Sequence, residues 1–186
     1  MKGRLLASPK GLNIRPTTDQ VKEAIFNIIG QDLTGYKVLD LFAGTGCLGI
    51  EAMSRGSLHA LFIDNSQQSI NLIKRNLALC GYRGSRAILR RDLRKGIPRS
   101  HPLLMEGFDL IFLDPPYGGN LIPPLLEKLS TRDLLSSGSR VVAESFKTDR
   151  LPVSFGNLEM VDTRLYGDTR ISTYVNDHRG ISDGLR

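Results

Sequence analysis

Two cysteines, Cys47 and Cys80, are too few for a disulfide framework, and their spacing matches no zinc motif. A chain kept reduced, in the cytoplasm, is expected. Three histidines, His59, His101 and His178, stand far apart without ligand spacing, so neither a metal centre nor histidine catalysis is expected. No apolar run approaches the roughly 20 residues of a membrane span, and the opening MKGRLLASPK lacks an apolar core of signal-peptide length. Membrane insertion and export are not expected. Repeats and low-complexity segments are missing too, which excludes a solenoid. At about 150 residues per domain, 186 residues make one domain with a small appendage. With 40% hydrophobic and 24% charged residues, the chain can build an ordinary globular core.

What is present includes an excess of base: 25 Lys and Arg against 19 acids, a net charge of +6 that favours polyanionic partners without demanding one. Seven bases and one acid, Asp92, fall between Arg83 and Arg99, as much net charge as the whole chain carries. A second basic segment is the acid-free arm from Met1 to Pro16, with Lys2, Arg4, Lys10 and Arg15.

After the arm, Thr17 and Gln20 form a capping pair before Val21, Ile25 and Ile28 at helical spacing, which predicts a helix over about 18–29 closed by Gly30. Strands are expected at 37–42, 59–64, 87–91, 108–114 and 140–145, with helices at about 47–55, 66–80 and 121–129 between them. Runs at 158–165 and 170–174, separated by Tyr166-Gly167-Asp168, read as a closing hairpin. Such alternation implies a doubly wound α/β protein with a mostly parallel sheet and an antiparallel end. The domain is expected over 17–175, with a frayed tail over 176–186.

Gly44-Thr45-Gly46-Cys47-Leu48-Gly49 fits G-x-G-x-x-G between a strand and a helix, and Asp64 follows 20 residues after Gly44, where a carboxylate meets ribose hydroxyls. Ala43, Gly44, Thr45 and Gly46 form the candidate cofactor turn, with Asp64 and Asn65 beside it. A dinucleotide and S-adenosylmethionine both fit this pattern. Asp40, four residues before Gly44, would put negative charge at the mouth of the turn, repelling a pyrophosphate and attracting a sulfonium and an α-ammonium group. It would alternatively bond local backbone. Asp92, after the third strand, suits an adenine amino group and equally suits a helix cap.

Asp114-Pro115-Pro116-Tyr117 leaves the fourth strand at the edge where open α/β sheets bind ligands. As bare sequence it is also a plain rigid turn. Its chemistry suits methylation of a nucleobase amino group, a poor nucleophile because its lone pair is delocalised into the ring. The Asp114 carboxylate and Pro115 carbonyl can accept both amino hydrogens, prolines add no competing N–H, and the Tyr117 ring offers a stacking surface. No metal is needed.

Leu39 to Gly56 (LDLFAGTGCLGIEAMSRG), Lys10 to Ile29 and Phe112 to Tyr117 together resemble the RsmD family of bacterial 16S rRNA guanine-N2 methyltransferases. The resemblance covers about residues 2–175. It implies a Rossmann-like class I methyltransferase fold with a seven-stranded, mostly parallel sheet, a C-terminal hairpin and a short N-terminal arm. S-adenosylmethionine is then the donor and S-adenosylhomocysteine the product. The implied target is a guanine of small-subunit rRNA, the guanine-966 type of activity, within the assembled subunit. The cofactor turn maps onto Ala43 to Gly46, the ribose acid onto Asp64, the adenine-side acid onto Asp92 and the catalytic turn onto Asp114 to Tyr117; Arg15 lies in a signature near the active-site mouth. RNA phosphates are assigned to Lys10 and Arg15 of the arm with Arg94 and Lys95, against the alternative of a solvated basic face. A monomer is expected.

Overall fold

In the computed structural model, the described residues are 19–82, 84, 86–98, 102–105, 107–131 and 133–177. The expected basic arm, including Lys10 and Arg15, the capping Thr17, and Arg83 and Arg99 lie outside them. The chain forms two compact units, residues 1–95 and 96–186.

In the first unit, α1 (Asp19–Ile29) buries Val21, Ala24, Ile25, Phe26 and Ile29, and ends where Gly30 turns left-handed and donates its N–H to the Phe26 carbonyl. The order β1 (Lys37–Leu41), α2 (Cys47–Ser54), β2 (His59–Asp64), α3 (Gln67–Leu79), β3 (Arg86–Arg90) gives three parallel strands in the spatial order β3-β2-β1. Both α2 and α3 present apolar faces to these strands, through Leu48, Ile50 and Met53 and through Ile70, Ile73 and Leu77. Register sets Leu41 beside Ile63 and Asp64 beside Arg90, so the carboxyl ends of the three strands share one edge.

In the second unit, β4 (Phe108–Leu113) and β5 (Leu135–Phe146) are parallel and joined through α4 (Ile122–Ser130), whose two prolines sit in the first turn, where they cost no helical hydrogen bond. Then β5 pairs antiparallel with β8 (Thr169–Asn176), β8 with β7 (Leu158–Tyr166), and β7 with β6 (Ser154–Phe155). Parallel strands joined through helices and a C-terminal antiparallel region make the fold Rossmann-like.

Three expectations need correction. The described residues hold eight strands, not seven, because the two-residue β6 carries too little apolar pattern to read from sequence. Strand β5 starts at Leu135 rather than Arg140, its first half passing through the polar Ser136-Ser137-Gly138-Ser139, with Gly138 left-handed where the register to β4 shifts. Asn176 belongs to β8 rather than the tail: it is 2% exposed and its side-chain amide donates to the carbonyls of Ser136 (3.0 Å) and Leu135 (3.4 Å).

Candidate functional site: a glycine turn and a diproline turn

Leaving β1, the backbone turns left-handed at Phe42 (φ 60°), Gly44 (φ 54°) and Gly46 (φ 78°). For a phenylalanine this costs on the order of 1–3 kcal/mol and persists only where surrounding contacts dictate it, as they tend to at ligand sites. Here they come from two directions. On the β2 side, the Ile63 carbonyl accepts from Ala43 N (3.0 Å), and the Asp64 carboxylate accepts from Gly44 N through Oδ2 (2.9 Å) and Ser66 N through Oδ1 (2.8 Å). From α3, Asn76 Nδ2 donates to the Thr45 carbonyl at 2.9 Å. Asn76, fully buried, was not singled out from sequence; the available signal was a polar residue three after Ile73 and next to Leu77, on the apolar face of a helix. At Gly46, which caps α2 without a side-chain bond, the left-handed backbone favours glycine, and a Cβ there would approach Ile50 and Ile73 to 3.3 Å, a tight contact that those side chains would have to yield to.

Asp40 is not at the mouth of this turn. It is 2% exposed, and its Oδ2 accepts from Gly49 N at 2.9 Å in the first turn of α2, the local backbone bond that was the alternative expectation. It thereby supplies the acceptor that α2 lacks at its N-cap. Burial pushes its carboxyl up from 3.8 to about 7; the Gly49 N–H opposes this and the nearby Asp64 charge adds to it. The charge argument against a pyrophosphate therefore loses much of its force; beside the turn Asn65 is exposed, while Asp64 is buried against the backbone it bonds.

A testable consequence concerns stability. Because the folded protein binds the Asp40 proton more tightly than the unfolded chain, this group's contribution is complete below about pH 4 and is lost as pH rises through about 7. Asp40→Asn keeps a carbonyl acceptor for Gly49 N and cannot titrate. Its urea midpoint is expected to fall less between pH 5 and pH 8 than that of the wild type; parallel declines would remove Asp40 as the source.

Asp92 caps the 3₁₀ turn Leu93–Lys95 by accepting from Arg94 N (3.1 Å), and it chelates the same residue's guanidinium through Nε and Nη2, both at 2.9 Å. That fork holds the Asp92 carboxyl below its usual range. The expected adenine-side acid and one of the expected phosphate contacts thus occupy each other, while Lys95 is exposed. Arg90, at the end of β3, donates to the Asn65 carbonyl at 3.1 Å.

In the second unit, Leu113 ends β4 and the chain passes through half-buried Asp114, buried Pro115 and exposed Pro116 and Tyr117. Tyr117 is 37% exposed, with its hydroxyl held by Glu144 and Thr169 and its ring edge-on to Phe146. Pro115 to Pro123, with Glu144, Ser145, Asp149, Arg150 and Leu151, line a pocket of about 220 Å³. Sequence reading missed Glu144 and Thr169 because neither belongs to a motif. No group of three or more His, Cys, Asp or Glu side chains placed to hold a metal occurs among the described residues.

The fold that carries these turns is that of the class I methyltransferases, and the protein is an S-adenosylmethionine-dependent enzyme of that class. A left-handed, glycine-lined turn with a carboxylate at the next strand's tip fits this donor, offering close backbone approach and an acceptor for ribose hydroxyls. The chain belongs to the family described as conserved hypothetical protein 95, whose model matches residues 1–175. It is 39% identical to YlbH of Bacillus subtilis, with 93% of this chain and 94% of that one covered. To ribosomal RNA small subunit methyltransferase D of Escherichia coli it is 27% identical, with 98% and 89% covered. The solved structure of yhhF from Escherichia coli superimposes with a TM-score of 0.81 at 27% identity, covering 94% of this chain and 93% of its own.

Proposed function

We propose that the protein methylates the exocyclic N2 of a guanine in small-subunit rRNA, an activity of the guanine-966 type, acting as a cytoplasmic monomer on the assembled subunit. The observation that carries the chemistry is the Asp114-Pro115-Pro116-Tyr117 turn at the end of β4. The homology to ribosomal RNA small subunit methyltransferase D supports the substrate.

S-adenosylmethionine, when bound, supplies an electrophilic methyl group on a sulfonium. Ala43 to Gly46 cradle it through backbone and Asp64 takes its ribose, using the lone pairs that Gly44 and Ser66 leave open. Asp92 serves its adenine side. Asp114 and the Pro115 carbonyl accept the two hydrogens of the target amino group, drawing its lone pair out of conjugation and aiming it. The prolines place no N–H where it would compete for that nitrogen. Tyr117 gives the base a face to rest on. Lys10, Arg15, Arg94 and Lys95 contact RNA phosphates, Arg94 exchanging part of its pairing with Asp92 for a phosphate.

The test is incubation with isotopically labelled S-adenosylmethionine and unmethylated small subunits, naked rRNA or DNA, followed by nucleoside identification. N2-methylguanosine, formed best on the subunit, is the expected product. N6-methyladenosine would overturn the guanine assignment, and absence of transfer to every substrate would favour a noncatalytic assembly factor.

A further inference from the structure

Strand β5 buries a carboxylate in an otherwise apolar and small-residue stretch. Glu144, between Ala143 and Ser145, is 7% exposed. Desolvating a carboxylate is costly unless strong hydrogen bonds replace water, so a glutamate in this place needs a reason. Its Oε1 accepts from the Tyr117 hydroxyl at 3.0 Å, and the same phenolic oxygen lies 3.1 Å from Thr169 Oγ1. A phenol has one proton. With that proton given to the carboxylate, the Thr169 hydroxyl donates to the phenolic oxygen, and the three groups form a directed chain from β8 through Tyr117 to β5.

The register makes this geometry possible. Phe146 pairs with Thr169 and Glu144 with Ile171, so Glu144, Phe146 and Thr169 share one face of the β5–β8 pair. Phe146 meets the Tyr117 ring edge-on, with centroids 5.7 Å apart and planes at 62°. The tip and the edge of Tyr117 are thus fixed by two strands. Beyond Tyr117 the turn opens: residues 118–120 are exposed, Gly118 and Asn120 are left-handed, and a Cβ on Gly118 would meet nothing within 4 Å.

We propose that Glu144 and Thr169 are positioning residues that latch Tyr117 and so preset the diproline turn and its pocket before a nucleobase enters. The inference rests on the reading of this turn as the nucleobase site, but the latch has a readout that needs no catalysis. Hydrogen exchange at residues 118–121 in the full-length protein should accelerate about tenfold in Tyr117→Phe, Glu144→Ala and Thr169→Val, with β1 to β3 unchanged. Glu144→Gln, whose amide oxygen still accepts from the phenol, should restore slow exchange. With rRNA as substrate, Tyr117→Phe and Glu144→Ala should each lower kcat about tenfold, one hydrogen bond's worth, without changing S-adenosylmethionine affinity. The double variant should be no worse than either single one.

Unchanged exchange in Tyr117→Phe and Glu144→Ala overturns the latch whether or not the enzyme proves active. Faster exchange with an unchanged kcat overturns its positioning role. A wild type that transfers no methyl group sinks the functional reading instead, while the exchange data still decide the latch. Tyr117→Phe, which removes a single oxygen, keeps the test decisive if a β5 variant fails to fold.

Discussion

Asp114→Ala is expected to lower the methyl-transfer rate by about two to three orders of magnitude while S-adenosylmethionine and RNA still bind. Removing one group aimed at charge developing in a transition state costs roughly 10²- to 10³-fold where it has been measured in other enzymes. Asp114 is half-buried directly after a strand that is buried from Leu110 to Leu113, which anchors the backbone that carries the carboxylate. Asp114→Asn should fall between alanine and wild type, since its amide keeps one acceptor oxygen but turns a donor toward the target amino group. Single-turnover transfer with saturating RNA, together with calorimetric titration of the donor, separates the effects. Weakened donor binding with an intact rate would move Asp114 from the reaction to the cofactor.

Gly49→Ala is the second large effect, and it runs against propensity. Within a helix this exchange ordinarily stabilises by about 1 kcal/mol. Here the added Cβ would lie 2.4 Å from Phe62 Cε1, 2.9 Å from Cζ and 3.0 Å from Asp40 Oδ2. Phe62 is fully buried and pairs with Asp40 across β1 and β2, so the ring cannot withdraw without disturbing the strand register. Moving α2 outward instead stretches the Gly49 N–H bond to Asp40. Overpacking of this kind costs about 3 kcal/mol, and for a chain of this length that lowers Tm by roughly 6–12 °C. A thermal melt that shifts upward would show that the Phe62 site has slack.

Much of this was legible in the sequence because the defining signals are local. The run from Lys37 to Phe42, the Gly44-Thr45-Gly46 turn and the following helix announce themselves by apolar period and punctuation, as does the buried strand that leads into Asp114. Elements whose pattern depends on distant partners were not legible. Ser136 to Ser139 forms a third of β5 although its residues favour turns, and Asn176 is buried by carbonyls some forty positions away. The same distinction holds within the site. Asp64 is expected beside the turn from its spacing to Gly44, and there Gly44 N bonds to it directly. Asp40 was placed on the correct strand, but which way its carboxyl turns depends on Gly49, nine residues on. Arg94 looked available for a phosphate because side-chain pairing with Asp92, two residues back, has no signature in a run so rich in arginine.

The clamp on Phe42 to Gly46, drawn from β2 and α3, has a thermodynamic meaning for ligand capture. Fixing a backbone residue costs about 1–2 kcal/mol in lost conformational entropy whenever it happens. With Asp64, Ile63 and Asn76 already bonded to the turn, that ordering belongs to folding and not to association. With the turn as the proposed cradle of the methyl donor, binding free energy there is undiminished by a disorder-to-order transition, and each donor molecule meets the same shape.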